Sequence, residues 1–184
     1  MKLEAKVELL NEEEISKVKK FQYYMNNYKN IFINIFPKNG VLSLNHNDVH
    51  SLNLLLTETS DKIYIIDHEY ASLNLVGVDI VNYLLELQFD YTKKSYPFYE
   101  FNGTKIYKNF EKNFEIFLDY MDKFEESHKE IEGFSFKKQK EKIYFYELIC
   151  VISLFWFIYS VMYIDFEDLV KKESFDLLWH ANHR

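Results

Sequence analysis

Apolar positions along the chain alternate between a helical and a strand rhythm, and the changes mark its elements. From Asn11 the spacing Ile15, Val18, Phe21 and Met25 is helical, with Asn11 placed to cap and Glu12, Glu13 and Glu14 at the positive end of the dipole. That helix is expected to end within residues 26–34, ahead of Pro37 and Gly40. Two short β-rich runs, 52–56 and 63–66, flank the turn-forming residues 57–62 and predict a hairpin. Helical spacing resumes with Val78, Val81, Leu84, Leu85 and Phe89. Along residues 101–132, Ile106, Phe110, Phe114, Phe117, Leu118 and Met121 share one helical side, and Glu125, Glu126, Lys129 and Glu130 read as solvated surface. A long helix is expected from near Lys137, apolar on nearly all sides over 143–164. A short closing helix, 167–184, turns Leu169, Phe175, Leu178 and Trp179 inward.

The apolar run 143–164 reaches the ~20 residues that a bilayer span requires. Glu147 lies inside it, and Tyr144, Tyr146, Tyr159 and Tyr163 form no belts at its ends, so a core helix is expected and no membrane span. No apolar secretory region follows the first lysine, and the single Cys150 cannot make an internal disulfide; both favour the reducing cytoplasm. Cys150, on an apolar helix, is expected to be buried filler. With 184 residues, 48% of them hydrophobic and 18% aromatic, the chain suits one packed domain or lobe. A net charge of -7 gives no basic footprint for nucleic acid.

Candidate chemistry concentrates in residues 41–86. His46, Asp48 and Asn53 have the H-x-D-x-x-x-x-N spacing of a kinase catalytic loop. Phosphoryl transfer needs a carboxylate beside the attacking hydroxyl and further oxygens to hold Mg²⁺ against the phosphates. Asp48 can supply the first, Asn53 and Asp67 the second, and the hairpin would bring Asn53 and Asp67 close together. The alternative for Asp48 is a turn or N-cap. A rival metal-hydrolase reading takes His46, Asp48 and His50 with Asp67, His68 and Glu69 as ligands. It leaves Asn53 unexplained, and His128, His180 and His183 fall in or beyond later helices. Glu86 is an acid on an apolar helix, which is costly unless a cation meets it.

Residues 46–48 through Asn53, then Ile66-Asp67-His68-Glu69-Tyr70, then Asn74, Gly77, Asp79-Ile80 and Asn82 through Glu86, resemble the choline/ethanolamine kinase family. The resemblance implies an α+β fold: the mainly helical C-terminal lobe of a protein-kinase-like protein with a small β-hairpin at its catalytic site. The whole of 1–184 is then one such lobe, with a leading helix and linker (1–40), a catalytic and metal-binding segment (41–100) and a helical subdomain (101–184). Only 45 residues precede His46, and Gly40, Gly77, Gly103 and Gly133 are too scattered to make a phosphate-cradling loop. An N-terminal nucleotide lobe is therefore expected to be absent and the chain alone to be inactive.

The implied activity is ATP-dependent phosphorylation of choline, with Mg²⁺ and ATP required. Asp48 is the implied base, and His46, placed with it in the catalytic loop, supports that loop by hydrogen bonding or takes part in the acid–base chemistry. Asn53 and Asp67 hold the metal, and Glu69 is an additional metal candidate. Asp79 braces the loop from the start of a helix, while Asn74 and Gly77 shape a connecting turn. Glu86 and Tyr91 belong to the amine pocket by the same correspondence. So do Trp156 and Tyr159, whose i, i+3 spacing puts both rings on one helix face. Aromatic faces suit a quaternary ammonium, which has no N–H to donate. Asp165 is a further candidate near that pocket, and an N-cap is its plain alternative. Tyr159 stands where relatives often carry Trp, which leaves ethanolamine open as substrate, although Asp90-Tyr91 and Tyr96-Pro97-Phe98 look more like choline kinases. The resemblance also admits a homodimer, and a choline- or partner-binding module without catalysis is the alternative class of function.

Overall fold

The computed structural model describes residues 11–58, 62–103, 105–130 and 136–163. Two compact units divide the chain: Met1–Ile35 with Phe89–Phe101 and Ser153–Arg184, and Phe36–Gln88 with Asn102–Ile152. Both cut across the sequence segments 1–40, 41–100 and 101–184.

The second unit holds residues 41–86 with their acids and amides. β1 (Leu42–Asn45) pairs antiparallel with β4 (Ser72–Leu75), and β2 (Leu54–Leu56) pairs with β3 (Ile63–Ile65) as the expected hairpin, in the register Leu54 to Ile65 and Leu56 to Ile63. Leu52, expected in the first hairpin strand, lies instead in a 3₁₀ turn, Ser51–Asn53, whose start is capped by the His50 side chain accepting from Leu52 N–H. The short β1 and β4 had no counterpart in the hydrophobic pattern. Of their leucines, Leu42, Leu44 and Leu73 are 60–76% exposed and Leu75 is buried, while Ser43, Asn45 and Asn74 are buried or half-buried. Except at Leu75, the usual polarity of a half-buried strand is inverted, because the polar side is needed to wire a loop.

α2 (Val78–Glu86) runs as predicted from Val78 and buries Val78, Val81, Leu84 and Leu85, but it stops at Glu86, and Phe89 goes into a strand. The next helical stretch is formed by α3 (Lys105–Lys108) and α4 (Phe110–Ser127), burying Ile106, Phe114, Phe117 and Met121. The first part of α5 (Lys142–Met162) completes this core with Tyr144, Phe145 and Leu148; the Phe145 ring lies 5.0 Å from Phe117 and the Tyr144 hydroxyl donates to Val76 O at 2.9 Å. Burial pushes the Tyr144 hydroxyl well above the ordinary phenol range.

Gly77 sits where β4 turns into α2, with φ 89°, and a Cβ there would stand 2.8 Å from Phe117 Cε2. Both the left-handed backbone and the close aromatic demand glycine. Gly77→Ala is therefore expected to cost ~2–4 kcal/mol, summing a left-handed penalty and an overpacking penalty. Urea denaturation checks this, and an unchanged midpoint would refute it.

The first unit contains α1 (Glu12–Ile35), the short pair β5 (Phe89–Asp90) and β6 (Glu100–Phe101), and the later part of α5. Ile15 N–H donates to Asn11 O at 2.9 Å, so α1 starts where the sequence places it, and it runs to Ile35, one residue past its expected end. Tyr24 meets Phe157 edge to face at 5.6 Å, and Phe89 packs on Phe101 at 4.9 Å.

By length and composition α5 could cross a bilayer, and 44% of its most apolar window is buried. It is not apolar core on every side: Ile143, Tyr146, Phe155 and Met162 are exposed. Cys150 is exposed too, so the expectation of buried filler is corrected. The face of α5 that turns to the core carries Tyr144, Phe145 and Leu148, and Cys150 falls on the other. The expected closing helix and Asp165 lie outside the described residues.

Candidate functional site

The loop between β1 and the 3₁₀ turn is held from below by the first turn of α2. Asp79 accepts from two consecutive backbone donors, His46 N–H on Oδ2 at 2.9 Å and Asn47 N–H on Oδ1 at 2.8 Å. Asn47 takes a left-handed backbone, φ 67°, which asparagine tolerates better than most residues. The next residue in the chain is Asp48.

His46 is 6% exposed. Its Nε2 lies 2.8 Å from Ile66 O, a carbonyl that can only accept, so Nε2 carries the proton; Nδ1 then accepts from Asp48 N–H at 3.3 Å. Both ring nitrogens are engaged by backbone. The ring also meets His68 edge to face at 4.9 Å, and His68 Nε2 lies 3.1 Å from Ile65 O.

Asn53 is buried, and its amide closes the loop by donating to Asp48 O at 3.0 Å, with Asp48 Oδ2 at 3.4 Å. The ladder of the hairpin continues one step past Leu54, because Ile66 N–H donates to Asn53 O at 3.0 Å. Asp67 is the next residue, leaving the strand with φ 65° and ψ 66°. The hairpin thus carries Asn53 and the start of the Asp67 segment side by side. Asp67 is exposed, and Glu69 is exposed on the 3₁₀ turn His68–Tyr70. Asn82, fully buried, donates to Val49 O at 3.1 Å and so ties α2 to the far side of the loop.

The electrostatics single out a residue that entered the sequence reading only through the rival hydrolase. His50 Nε2 lies 3.6 Å from Asp48 Oδ2, an ion-pair separation and longer than a hydrogen bond. The adjacent Asp48 carboxylate raises the imidazole above its ordinary 6.5; partial burial opposes this, and the charges of Asp48, Glu86 and Asp67 add to the rise. Asp48, Asp67 and Glu86 therefore share one negative field around His50. Glu86 itself is buried near the end of α2.

An NMR titration of the His50 ring is expected to show a midpoint above 6.5 that falls on Asp48→Asn, where burial is left to dominate. Because the folded value is raised, His50 stabilises the fold fully below about 6.5 and loses that contribution as pH rises through the folded midpoint. A midpoint indifferent to Asp48→Asn would refute the pairing.

The remaining candidates lie in the first unit. Trp156 is buried and meets Tyr159 edge to face at 5.4 Å, as their spacing on α5 predicts. Tyr91 belongs to another group of rings, parallel to Phe89 at 5.8 Å and tilted to Tyr99 at 6.5 Å.

Among the described residues no three His, Cys, Asp or Glu side chains converge on a point that could hold a metal ion. The donor set that remains is oxygen. The Asn53 NH₂ turns toward Asp48, which leaves Oδ1 for a cation, and Asp67 adds a carboxylate. One or two protein oxygens, completed by phosphates and water, suit Mg²⁺, which seldom takes a full protein cage.

The sequence model of choline/ethanolamine kinase matches residues 2–184. The chain belongs to the choline/ethanolamine kinase family. A human choline/ethanolamine kinase is 40% identical over 62 residues, which is 32% of this chain and 16% of that protein. Mouse choline kinase alpha is 42% identical over 65 residues, 33% of this chain and 14% of its own length. A probable choline kinase 3 of Arabidopsis thaliana is 44% identical over 46 residues, 25% of this chain and 13% of that protein. The aligned segments span well under two thirds of these relatives. A choline kinase structure from Cryptosporidium parvum Iowa II superposes with a TM-score of 0.55 over 77% of this chain and 36% of that one. At 23% identity the likeness is one of fold, and it supports the α+β, kinase-like architecture of this family member.

Proposed function

We propose that this member of the choline/ethanolamine kinase family carries the hydroxyl- and metal-facing part of ATP-dependent choline phosphorylation, with ethanolamine as the variant acceptor. The observation that supports it best is the Asn53 to Asp48 bond at 3.0 Å, which holds a carboxylate and an amide oxygen on one closed loop. Asp48 orients the acceptor hydroxyl and takes its proton as the oxygen bonds to the terminal phosphorus of ATP, while the bond to the bridging oxygen breaks and ADP leaves. Asn53 and Asp67 would hold Mg²⁺, with Glu69 as a further oxygen. When bound, Mg²⁺ neutralises charge on the transferring phosphates. His46, with both nitrogens used by backbone, supports the loop and moves no proton. Asp79 braces it, and Gly77 gives α2 its start.

For the amine, the family correspondence names Trp156, Tyr159 and Tyr91 as ring candidates and Glu86 as the acid candidate; Asp165 remains a sequence-based candidate. The proposed compartment is the cytoplasm, and self-association into a homodimer belongs to the same reading. No glycine-rich phosphate loop is legible in residues 1–184, so these residues by themselves are proposed not to turn over ATP.

Calorimetry and a phosphocholine assay on the purified 184 residues test this. Choline is expected to bind without turnover, and Trp156→Ala to weaken binding about 2- to 30-fold, the range of one cation–π contact of ~0.5–2 kcal/mol. Choline-dependent ATP turnover abolished by Asp48→Asn would overturn the inactivity. Choline affinity unmoved by Trp156→Ala would overturn the aromatic assignment.

A further inference from the structure

We infer that Asn47 and Asn74 form a clasp that fixes the Asp67 segment against the Asp48 loop, making Asn47 a positioning residue for both acids; this rests on the roles proposed above for Asp48 and Asp67. The two acids sit on separate segments, joined through the hairpin at Asn53 and Ile66. Beyond the hairpin the segment is next held where β4 joins β1 at Ser72, which leaves residues 67–71 spanning the gap. Asn47 adds a side-chain attachment within that span. Its Nδ2 donates to Tyr70 O at 2.8 Å and to Ser72 Oγ at 2.9 Å, and its Oδ1 accepts from Asn74 Nδ2 at 2.8 Å. Asn74 is held in turn, its Oδ1 accepting from Leu75 N–H at 2.8 Å. On the near side of Asp67, His46 bonds Ile66 O at 2.8 Å. Asp67 is thus bracketed in sequence by ties at Ile66 and at Tyr70, both originating in the two residues before Asp48.

The clasp uses the amide in both senses, as donor and as acceptor. A carboxylate at position 47 would keep the bond from Asn74 and face the Tyr70 carbonyl with no proton to give; an aliphatic side chain would lose all three contacts. Left-handed backbone at both Asn47 and Asp67 adds a reason for the clasp, since such conformations persist where the surroundings over-determine them.

The informative variant is Asn47→Gly in the ¹⁵N-labelled 184-residue chain, because glycine accepts φ 67° freely and keeps the N–H that Asp79 binds. Asn74→Asp removes only the Asn74 donor and serves as the milder second variant. Phe136→Leu, in the core, controls for simple destabilisation. Amide exchange at residues 67–70 is expected to quicken at least tenfold in Asn47→Gly, with exchange in α2 and α4 close to the parent. The Mg²⁺ midpoint, read from amide shifts over 66–70, is expected to weaken at least tenfold. Exchange at 67–70 no faster than in Phe136→Leu overturns the clasp, and so does a loosened segment that binds Mg²⁺ with parental affinity. If Asp67→Asn leaves Mg²⁺ binding intact, the metal role of Asp67 fails, and the clasp then stands or falls on the exchange result alone.

Discussion

Asp79→Ala is expected to destabilise the chain by ~3–6 kcal/mol, from two charge-assisted bonds of about 1.5–3 kcal/mol each. The variant leaves His46 N–H and Asn47 N–H, now at 2.9 and 2.8 Å from the carboxylate, with no acceptor in a partly buried loop. It also removes an acid from the first turn of α2, where the helix dipole favours one. Against a typical stability of about 5–15 kcal/mol this is a large fraction, so the loop is expected to open well before the rest. Amide exchange at residues 46–49 should rise toward that of the exposed hairpin while α4 stays protected. Asp79→Asn keeps one acceptor and turns an NH₂ toward the other donor, so its loss should fall between that of Ala and the parent. A denaturation midpoint shifted by less than 1 kcal/mol in Asp79→Ala, read from urea curves, would mean that the loop is held by something else.

Asp79 was legible in the sequence because a motif placed it: an acid at a helix start, a fixed distance from an H-x-D loop, has few other uses. The hairpin was legible from two β-rich runs around turn-forming residues, α2 and α4 from helical period, and α5 from its sustained apolar run. β1 and β4 were not. Both are short, and Leu42, Leu44 and Leu73 are exposed while Ser43, Asn45 and Asn74 are covered, so a rule that buries leucine holds only at Leu75. Leu52 misled for a related reason, because an apolar side chain beside a strand extends it by propensity, while the His50 cap turns the backbone into a 3₁₀ step. His50 entered only as a ligand of the rival metal site and not as an ion-pair partner of Asp48, since a pair two residues apart is in contact only if the backbone between them bends, and hydrophobic spacing carries no record of that bend. The roles of Trp156 and Tyr159 came from resemblance. Aromatics at helical spacing are ordinarily core, and Trp156 is indeed buried.

Asn53→Asp separates the two duties of Asn53 more sharply than its removal does. The parent amide donates to Asp48 O and stands 3.4 Å from Asp48 Oδ2, so a carboxylate there is set against another and the donor that closes the loop is lost. Two like charges at that separation repel by ~5 kcal/mol at an effective dielectric of 20, reduced by solvent and salt. Relief comes by protonation, which raises the folded pKa of one acid of the pair. A carboxyl whose folded pKa is raised holds its proton longer in the native state, so the variant is expected to lose stability as pH rises from about 4 through that raised value, and to approach the parent at lower pH. The expected loss near neutrality is ~2–4 kcal/mol, the size of a buried charge left uncompensated. A divalent cation reverses the sign of the problem. With the new carboxylate at position 53 set beside that of Asp48, Mg²⁺ in the millimolar range should restore most of the loss and raise the urea midpoint far more than it does in the parent. Stability of Asn53→Asp that ignores both pH and Mg²⁺ would show that residue 53 faces neither Asp48 nor a metal.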